Sequence, residues 1–371
     1  MSIKLYLGRE VMPPDMPPVP MLYPFLGSDT RLEVQDSLQR GRFANYANVA
    51  SSIFEETSVG EADVGVLPFS WKHTLHDHEL RRKAIEYVDR LGNYGKRVII
   101  FFDSDSDDLV PFSDAIVFRT SLYRSRRRPN EFALPAWGQD LTRLFSKDRV
   151  PIRPKTSPPT VSFCGYCPPL RLPLGQKKAK ESMRWLLERT GAVRLAAVQP
   201  GHYARVEAIR ALRREPAVNT SFIIRPEFSF RSDGRLVPGG SETTAEHYRL
   251  EFVQNMLDSD YVLCARGFGN FSYRLYEALS CGRIPLLVDT DSVLPFHESA
   301  PWRSVLVTID LKSVRRAGEH LLAFHSSVSA QEFEELQLRC RAFWQQWLAP
   351  EAFFRLLAGQ IRRAVRSSTQ P

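Results

Sequence analysis

Near Val150 the chain carries four prolines in ten residues, VPIRPKTSPP, and on both sides of them strand-sized apolar runs alternate with helix-patterned segments. Proline cannot continue a helix or occupy a central strand, so this stretch reads as a linker between two domains. Before it, residues 3–8 alternate and then break in VMPPDMPPVP, and residues 61–69 read as a buried strand closed by Pro68. Residues 79–91 place Leu80, Ala84, Tyr87, Val88 and Leu91 at helical spacing before a Gly92-Asn93 stop, and 97–102 and 115–120 read as strands. After the linker, strands at 160–164, 193–198, 221–224, 261–264 and 284–288 alternate with helices at 176–190, 202–214, 242–257 and 272–280. From Lys312 to Arg366 the pattern is helical, interrupted at Pro350. Such alternation predicts an α/β fold of mostly parallel, doubly wound sheets. The expected domains are residues 1–152 and 160–345, with a C-terminal helix at 346–371 placed to pack back on the first domain. Ligands of such sheets bind beyond the carboxyl ends of the strands, so two sheets facing each other make a cleft. No repeat of 20 to 50 residues is present, which excludes a solenoid.

A chain of 371 residues can bury two cores without disulfide or metal staples. Its longest apolar runs, such as Val98-Ile99-Ile100-Phe101-Phe102, fall far short of the roughly 20 residues of a membrane span. The opening MSIKLYLGRE has no apolar signal region, and five cysteines fit a reducing compartment. The expected location is therefore the cytoplasm. The formal charge is +8, and 40 of the 50 basic residues are Arg. Guanidinium suits phosphate, which is compatible with a nucleotide, nucleic acid or an anionic membrane surface. A GC-rich coding sequence produces the same bias, so charge alone does not choose among them.

The chemistry concentrates in residues 260–296, DYVLCARGFGNFSYRLYEALSCGRIPLLVDTDSVLPF. A strand runs into Arg266-Gly267-Phe268-Gly269-Asn270, and a helix opens at about Ser272. Glycines at 267 and 269 are expected to take positive φ and to let a ligand approach the backbone. Ser272 is expected to cap the helix, whose free N–H groups form an anion site. The dipole contributes only ~0.3–1 kcal/mol, so a diphosphate would also need Arg266 and Arg274. Glu277, one helical turn past Tyr273, is placed to accept from a ribose diol. A bare G-x-G is weak, since any strand–turn–helix unit resembles this one, and the third glycine of the dinucleotide fingerprint is absent.

This pattern, strand, A-R-G, S-x-R-L-x-E-A-L, C-G-R-I-P-L-L-V-D and then L-P-F, resembles the signature of the exostosin family of glycosyltransferases. EADVGVLPFSW, RVIIFFD, EFALPAW and TVSFCG resemble further family segments in the same order. The resemblance implies a GT-B fold, two facing Rossmann-like domains with the nucleotide-sugar donor on the second. It implies inverting, metal-independent transfer of sugar from a UDP-sugar to a saccharide or lipid-linked acceptor, in polysaccharide or glycoconjugate synthesis, with no other cofactor. Carried over by position, Arg266 and Arg274 neutralise the diphosphate, Gly267, Phe268, Gly269, Asn270, Ser272 and Tyr273 line it, and Glu277 takes the ribose. Arg283 stands where relatives have cysteine, Phe102 where they have histidine, and the membrane anchor of eukaryotic members has no counterpart.

An inverting transfer needs a base for the acceptor hydroxyl. His73, Asp77 and Asp103 are the candidates, with His76, His78 and Glu227 further ones. The three histidines also fit a metal patch or a solvated surface. Cys164-Gly165-Tyr166-Cys167 lacks a second ligand pair for zinc and reads as structural. Gly165 is expected to let the donor approach, with Arg171 as a phosphate partner. Arg124, Arg126, Arg127 and Arg128, and the C-terminal Arg362, Arg363 and Arg366, are either solvated faces or contacts for an anionic membrane or acidic glycan. No nucleic-acid motif accompanies them. A catalytically inactive relative serving as a binding subunit and a sugar-nucleotide epimerase are the competing readings.

Overall fold

The computed structural model of the protein describes residues 2–27, 41–145, 149–168, 201–225 and 242–367. Within these, strands form two sheets in which every pairing is parallel. The first comprises β1 (Ile3–Tyr6), β2 (Phe54–Glu56), β3 (Val64–Val66), β4 (Val98–Phe102), β5 (Ile116–Arg119) and β6 (Glu131–Ala133), in the order β2-β1-β3-β4-β5-β6. The second comprises β7 (Thr160–Tyr166), β8 (Asn219–Arg225), β9 (Tyr261–Cys264), β10 (Ile284–Asp289) and β11 (Val307–Asp310), in the order β11-β10-β9-β7-β8. The principal helices are α1 (Ala44–Val49), α2 (His78–Asn93), α3 (Gly201–Arg214), α4 (Glu242–Leu257), α5 (Tyr273–Ser280), α6 (Ala317–Ser327), α7 (Ala330–Phe343) and α8 (Pro350–Ser367). This is a two-domain α/β architecture. Every residue of β4 and β9 is buried, as expected of parallel strands covered on both faces.

The strand expected over 61–69 is shorter. Its assigned core is Val64–Val66, Leu67 adds one more ladder bond to the Ile99 carbonyl (2.9 Å), and Pro68 has no N–H to continue. Of the short edge strands, β11 alternates buried and exposed residues, while β2 and β6 have only three residues each. The helix expected at 176–190 and the strand at 193–198 lie outside the described residues.

Local chemistry sets the helix ends. Asp77 caps α2 by accepting from the Leu80 N–H at 2.9 Å, and Leu80, Ala84, Tyr87 and Leu91 face the sheet. Helix α5 stops at Gly282 (φ +67°), where a Cβ would strike the Gln337 carbonyl at 2.9 Å and Val150 at 2.6 Å. The next residue, Arg283, is fully buried and donates to the carbonyls of Leu257 and Pro151 and to Gln337 Oε1. Arg283 therefore fastens the proline-rich stretch around residues 150–159 to the second domain.

Helix α8 lies against the first domain: Phe354 stacks on Tyr46, Phe353 meets Trp137 edge-on, and Arg97 donates to the Ala364 carbonyl. No helix among the described residues is long and apolar enough to cross a membrane.

Candidate functional site between the two sheets

In the second sheet, β8 lies on one side of β7 and β9 on the other. The chain reverses its direction of travel there, and the helices that follow diverge, leaving a crevice at the carboxyl ends of β7 and β9. Three arginines meet at it. Arg266 lies two residues past β9; it is 4% exposed, and its guanidinium donates to the Phe268 carbonyl, Tyr123 Oη and Asn270 Oδ1. Arg274, one residue into α5, donates twice to the Cys164 carbonyl (3.2 and 2.6 Å) and lies 4.3 Å from the Phe163 ring centroid. Arg205, on α3, joins the two strand ends by donating to the carbonyls of Tyr166 (2.7 Å) and Ala265 (3.2 Å). It approaches the same Phe163 ring at 5.5 Å.

None of these three forms an ion pair among the described residues, and the Nε atoms of Arg205 and Arg266 are buried without a hydrogen-bond partner there. Burial and the charge of Arg274 push Arg205 down to about 9, the response of a cation lacking a counter-charge. Burial pushes Arg274 down as well. Ser272 stands at the N-cap of α5 with extended backbone, yet its hydroxyl makes no capping bond and is buried without a partner. The expected cap is thus only positional. Three guanidinium groups without ion pairs among the described residues meet at these strand ends beside a helix N-terminus, a combination suited to an anion.

The glycines act differently from expectation. Neither Gly267 nor Gly269 has positive φ. Gly269 is required by crowding: a Cβ would lie 2.5 Å from Phe271 and 2.6 Å from Asp105 Oδ1. Gly165 does have positive φ (+143°), and a Cβ there would strike Arg274 Nη2 at 2.2 Å, so this glycine makes room for the arginine. Phe268 is 62% exposed and meets His202 edge-on. Burial, with Arg205 and Arg266, pushes that histidine down to about 4, so it is neutral near pH 7. Tyr273 is half exposed although deep within the molecule, as a residue standing in a cleft must be. Glu277 is buried, its Oε1 accepts from Arg249 at 3.1 Å, and Gly138 of the first domain closes over its Cγ. Any diol there shares Glu277 with Arg249.

Asn270 is 1% exposed and ties the turn to the first domain: its N–H donates to Ser121 Oγ, its side chain donates to the Leu122 carbonyl, and Thr290 donates to its Oδ1. A small cavity behind it, lined by Arg266, Ser272 and Leu275, holds about 10 Å³, room for no more than one water molecule.

The opposite wall comes from the carboxyl ends of β3 and β4. Asp103 pairs with Lys72 at 2.7 Å, and half-buried His73 lies beside them, pushed down by burial and Lys72 against the opposing pull of Asp103. Asp77 is exposed and engaged as the α2 cap, and His76 and His78 are exposed at the same helix end. Among the described residues no three His, Cys, Asp or Glu side chains gather to hold a metal ion. Cys164 and Cys167 are buried free thiols pushed up by burial. Arg171 and Glu227 lie outside the described residues. The basic loop has protein partners throughout: Arg124 with Asp289, Arg126 with Asp107, Arg127 with Glu298, and Arg128 with Glu131.

Arg205, Arg249 and Asp105 were not legible as site residues. Arg205 sits in a helix with three other arginines and nothing local marks it out; the weak signal is His202 three residues earlier, on the same helical face.

Fold and site together define a two-domain α/β protein with an arginine-lined crevice where the second sheet reverses. No family model matches the chain. Parts of it are similar to plant glycosyltransferases. It is 28% identical over 116 residues to a probable glucuronosyltransferase of Oryza sativa subsp. japonica, covering 30% of this chain and 28% of the relative. It is 36% identical over 63 residues to a probable beta-1,4-xylosyltransferase of Arabidopsis thaliana (17% and 15%). It is 29% identical over 91 residues to a probable glucuronoxylan glucuronosyltransferase of the same plant (24% and 19%). The matched stretches thus span less than a third of each relative.

Proposed function

We propose that the chain is a GT-B glycosyltransferase that moves a sugar, with inversion and without a metal, from a UDP-sugar to a saccharide or lipid-linked acceptor. The observation that carries this reading is the set of three guanidinium groups, Arg205, Arg266 and Arg274, with no carboxylate partner among the described residues, at the mouth of β7 and β9. A nucleoside diphosphate supplies the missing negative charge. As the bond from the anomeric carbon to the diphosphate breaks, charge grows on the leaving oxygen, and preorganised cations with a helix N-terminus stabilise it. Ser272 Oγ, unused in the resting protein, adds a hydrogen bond, and Glu277 takes the ribose hydroxyls. Similarity to proteins named as glucuronosyltransferases and xylosyltransferases supports a pyranose donor and a polysaccharide product.

The test is calorimetry with UDP and the other nucleoside diphosphates in EDTA, on the wild type and Arg274→Ala. Binding of UDP without metal, weakened by the substitution, supports the reading; absence of binding by every nucleoside diphosphate overturns it.

A further inference from the structure

The first domain sends one carboxylate onto the glycine turn. Asp105, three residues past β4, accepts a hydrogen bond from the Gly269 N–H, and its Cα would lie 2.9 Å from a Cβ on that glycine. Arg266 and Tyr273 are within electrostatic reach of it from the second domain. The side chain is open to water yet walled in by both domains, so it stands in the cleft itself. The other acidic groups of this wall are engaged elsewhere: Asp103 is held by Lys72, and Asp77 caps α2.

Resting on the transferase reading above, we propose that Asp105 is the general base that takes the proton from the acceptor hydroxyl. With the diphosphate seated on Arg266, Arg274 and the start of α5, the donor sugar projects from the second domain toward the first. The acceptor must approach from the far side of the anomeric carbon, which is the first-domain side. The acceptor O–H proton passes to the Asp105 carboxylate while the acceptor oxygen bonds to the anomeric carbon. The bond from that carbon to the diphosphate oxygen breaks, and the nucleoside diphosphate leaves with the electron pair. Asp105 then returns its proton to water. Two groups position the carboxylate: the Gly269 N–H, which a side chain at 269 would push away, and Arg266, whose charge favours the ionised form. Burial works against them and raises the carboxyl above the usual carboxylate range, a shift toward the basicity a proton acceptor needs.

The experiment compares wild type, Asp105→Asn and Asp105→Glu. It measures UDP affinity by calorimetry, UDP release from a panel of UDP-pyranoses with mixed oligosaccharide acceptors, and melting temperature. In Asp105→Asn, UDP release should fall at least about 100-fold, while UDP binds as well or tighter because a negative charge has left the anion site. The melting temperature should hold, and Asp105→Glu should recover part of the turnover. If the wild type is active and Asp105→Asn turns over within about tenfold of it, short of the range general-base catalysis supplies, the base is elsewhere and the transferase reading survives. If Asp105→Asn melts early and loses UDP, Asp105 is structural and the proposal fails. If wild type binds no UDP, or binds it and transfers to nothing, the transferase reading itself fails and takes this one with it.

Discussion

The crevice between β1 and β3 in the first sheet and that between β7 and β9 in the second arise from the same reversal of strand order, yet they are filled with opposite chemistry. In the first, Tyr87 reaches from α2 and donates to the carbonyls of Val66 (2.9 Å) and Tyr6 (3.4 Å). Gly8 and Gly65 make way for it and for Leu91: a Cβ at Gly8 would lie 2.8 Å from the Tyr87 ring, and one at Gly65 would lie 1.9 Å from Leu91. In the second, Arg205 reaches from α3 to the carbonyls of Tyr166 and Ala265 in the same manner. A neutral phenol closes one crevice, whereas a guanidinium satisfies the carbonyls of the other and leaves a positive charge behind. The same backbone geometry is a finished core in one domain and an unfinished electrostatic site in the other.

Breaking the register between the two walls has the largest expected effect. Arg341 holds Asp140 bidentately at 2.7 and 2.8 Å, with both groups largely buried. Arg341→Ala leaves that carboxylate unpaired and should cost about 3–5 kcal/mol of stability, read by denaturant unfolding. Burial pushes Asp140 upward, but Arg341, the Thr142 hydroxyl and the Arg143 N–H together outweigh it, and the carboxyl sits below its usual range. Stability from this group is therefore full above the unfolded carboxylate range and is lost as pH falls through the lower folded value, a slope that Arg341→Ala should reduce.

Next comes the charge itself. Removing Arg274 deletes charge-assisted hydrogen bonds of about 1.5–3 kcal/mol each, so UDP affinity should fall at least roughly tenfold. Tyr87→Phe in the mirror position should cost stability and leave UDP affinity alone. His202 sharpens the contrast through pH. Its folded value of about 4 lies below the ordinary 6.5, so the unfolded chain takes up the proton first. Stability should fall as pH drops from about 6.5 toward about 4, then level off, and His202→Phe should flatten that window in an acid titration of the melting temperature. The smallest effect is Ser272→Ala. Loss of an N-cap ordinarily costs ~0.5–2 kcal/mol, but this hydroxyl caps nothing, so stability should stay within about 0.5 kcal/mol, the ordinary range for a substitution that breaks no bond, while UDP affinity drops.

What could be read ahead of the structure was local. Val98 to Phe102 announces a strand because burial on both faces makes every position apolar, and Glu79 to Leu91 announces a helix through its spacing. Arg266, Arg274 and Ser272 were identifiable because one strand–turn–helix unit carries them all. The rest was illegible for a physical reason: the groups that complete the cleft come from far along the chain. Gly269 is glycine because of Asp105, 164 residues before it, and Gly165 because of Arg274. Gly269 was expected to take positive φ and does not, whereas Gly165, expected to let a ligand approach, has positive φ inside β7 and makes room for a side chain of its own chain.

The loop that carries Tyr123, Arg124, Ser125 and Arg127 grips residues 289–298 of the second domain through backbone bonds between Leu122 and Val293 and between Arg124 and Asp291, as well as through ion pairs. With α8 strapped across the first domain, the halves are sewn together along two separate seams. Moving one half against the other would have to break both sets of contacts at once.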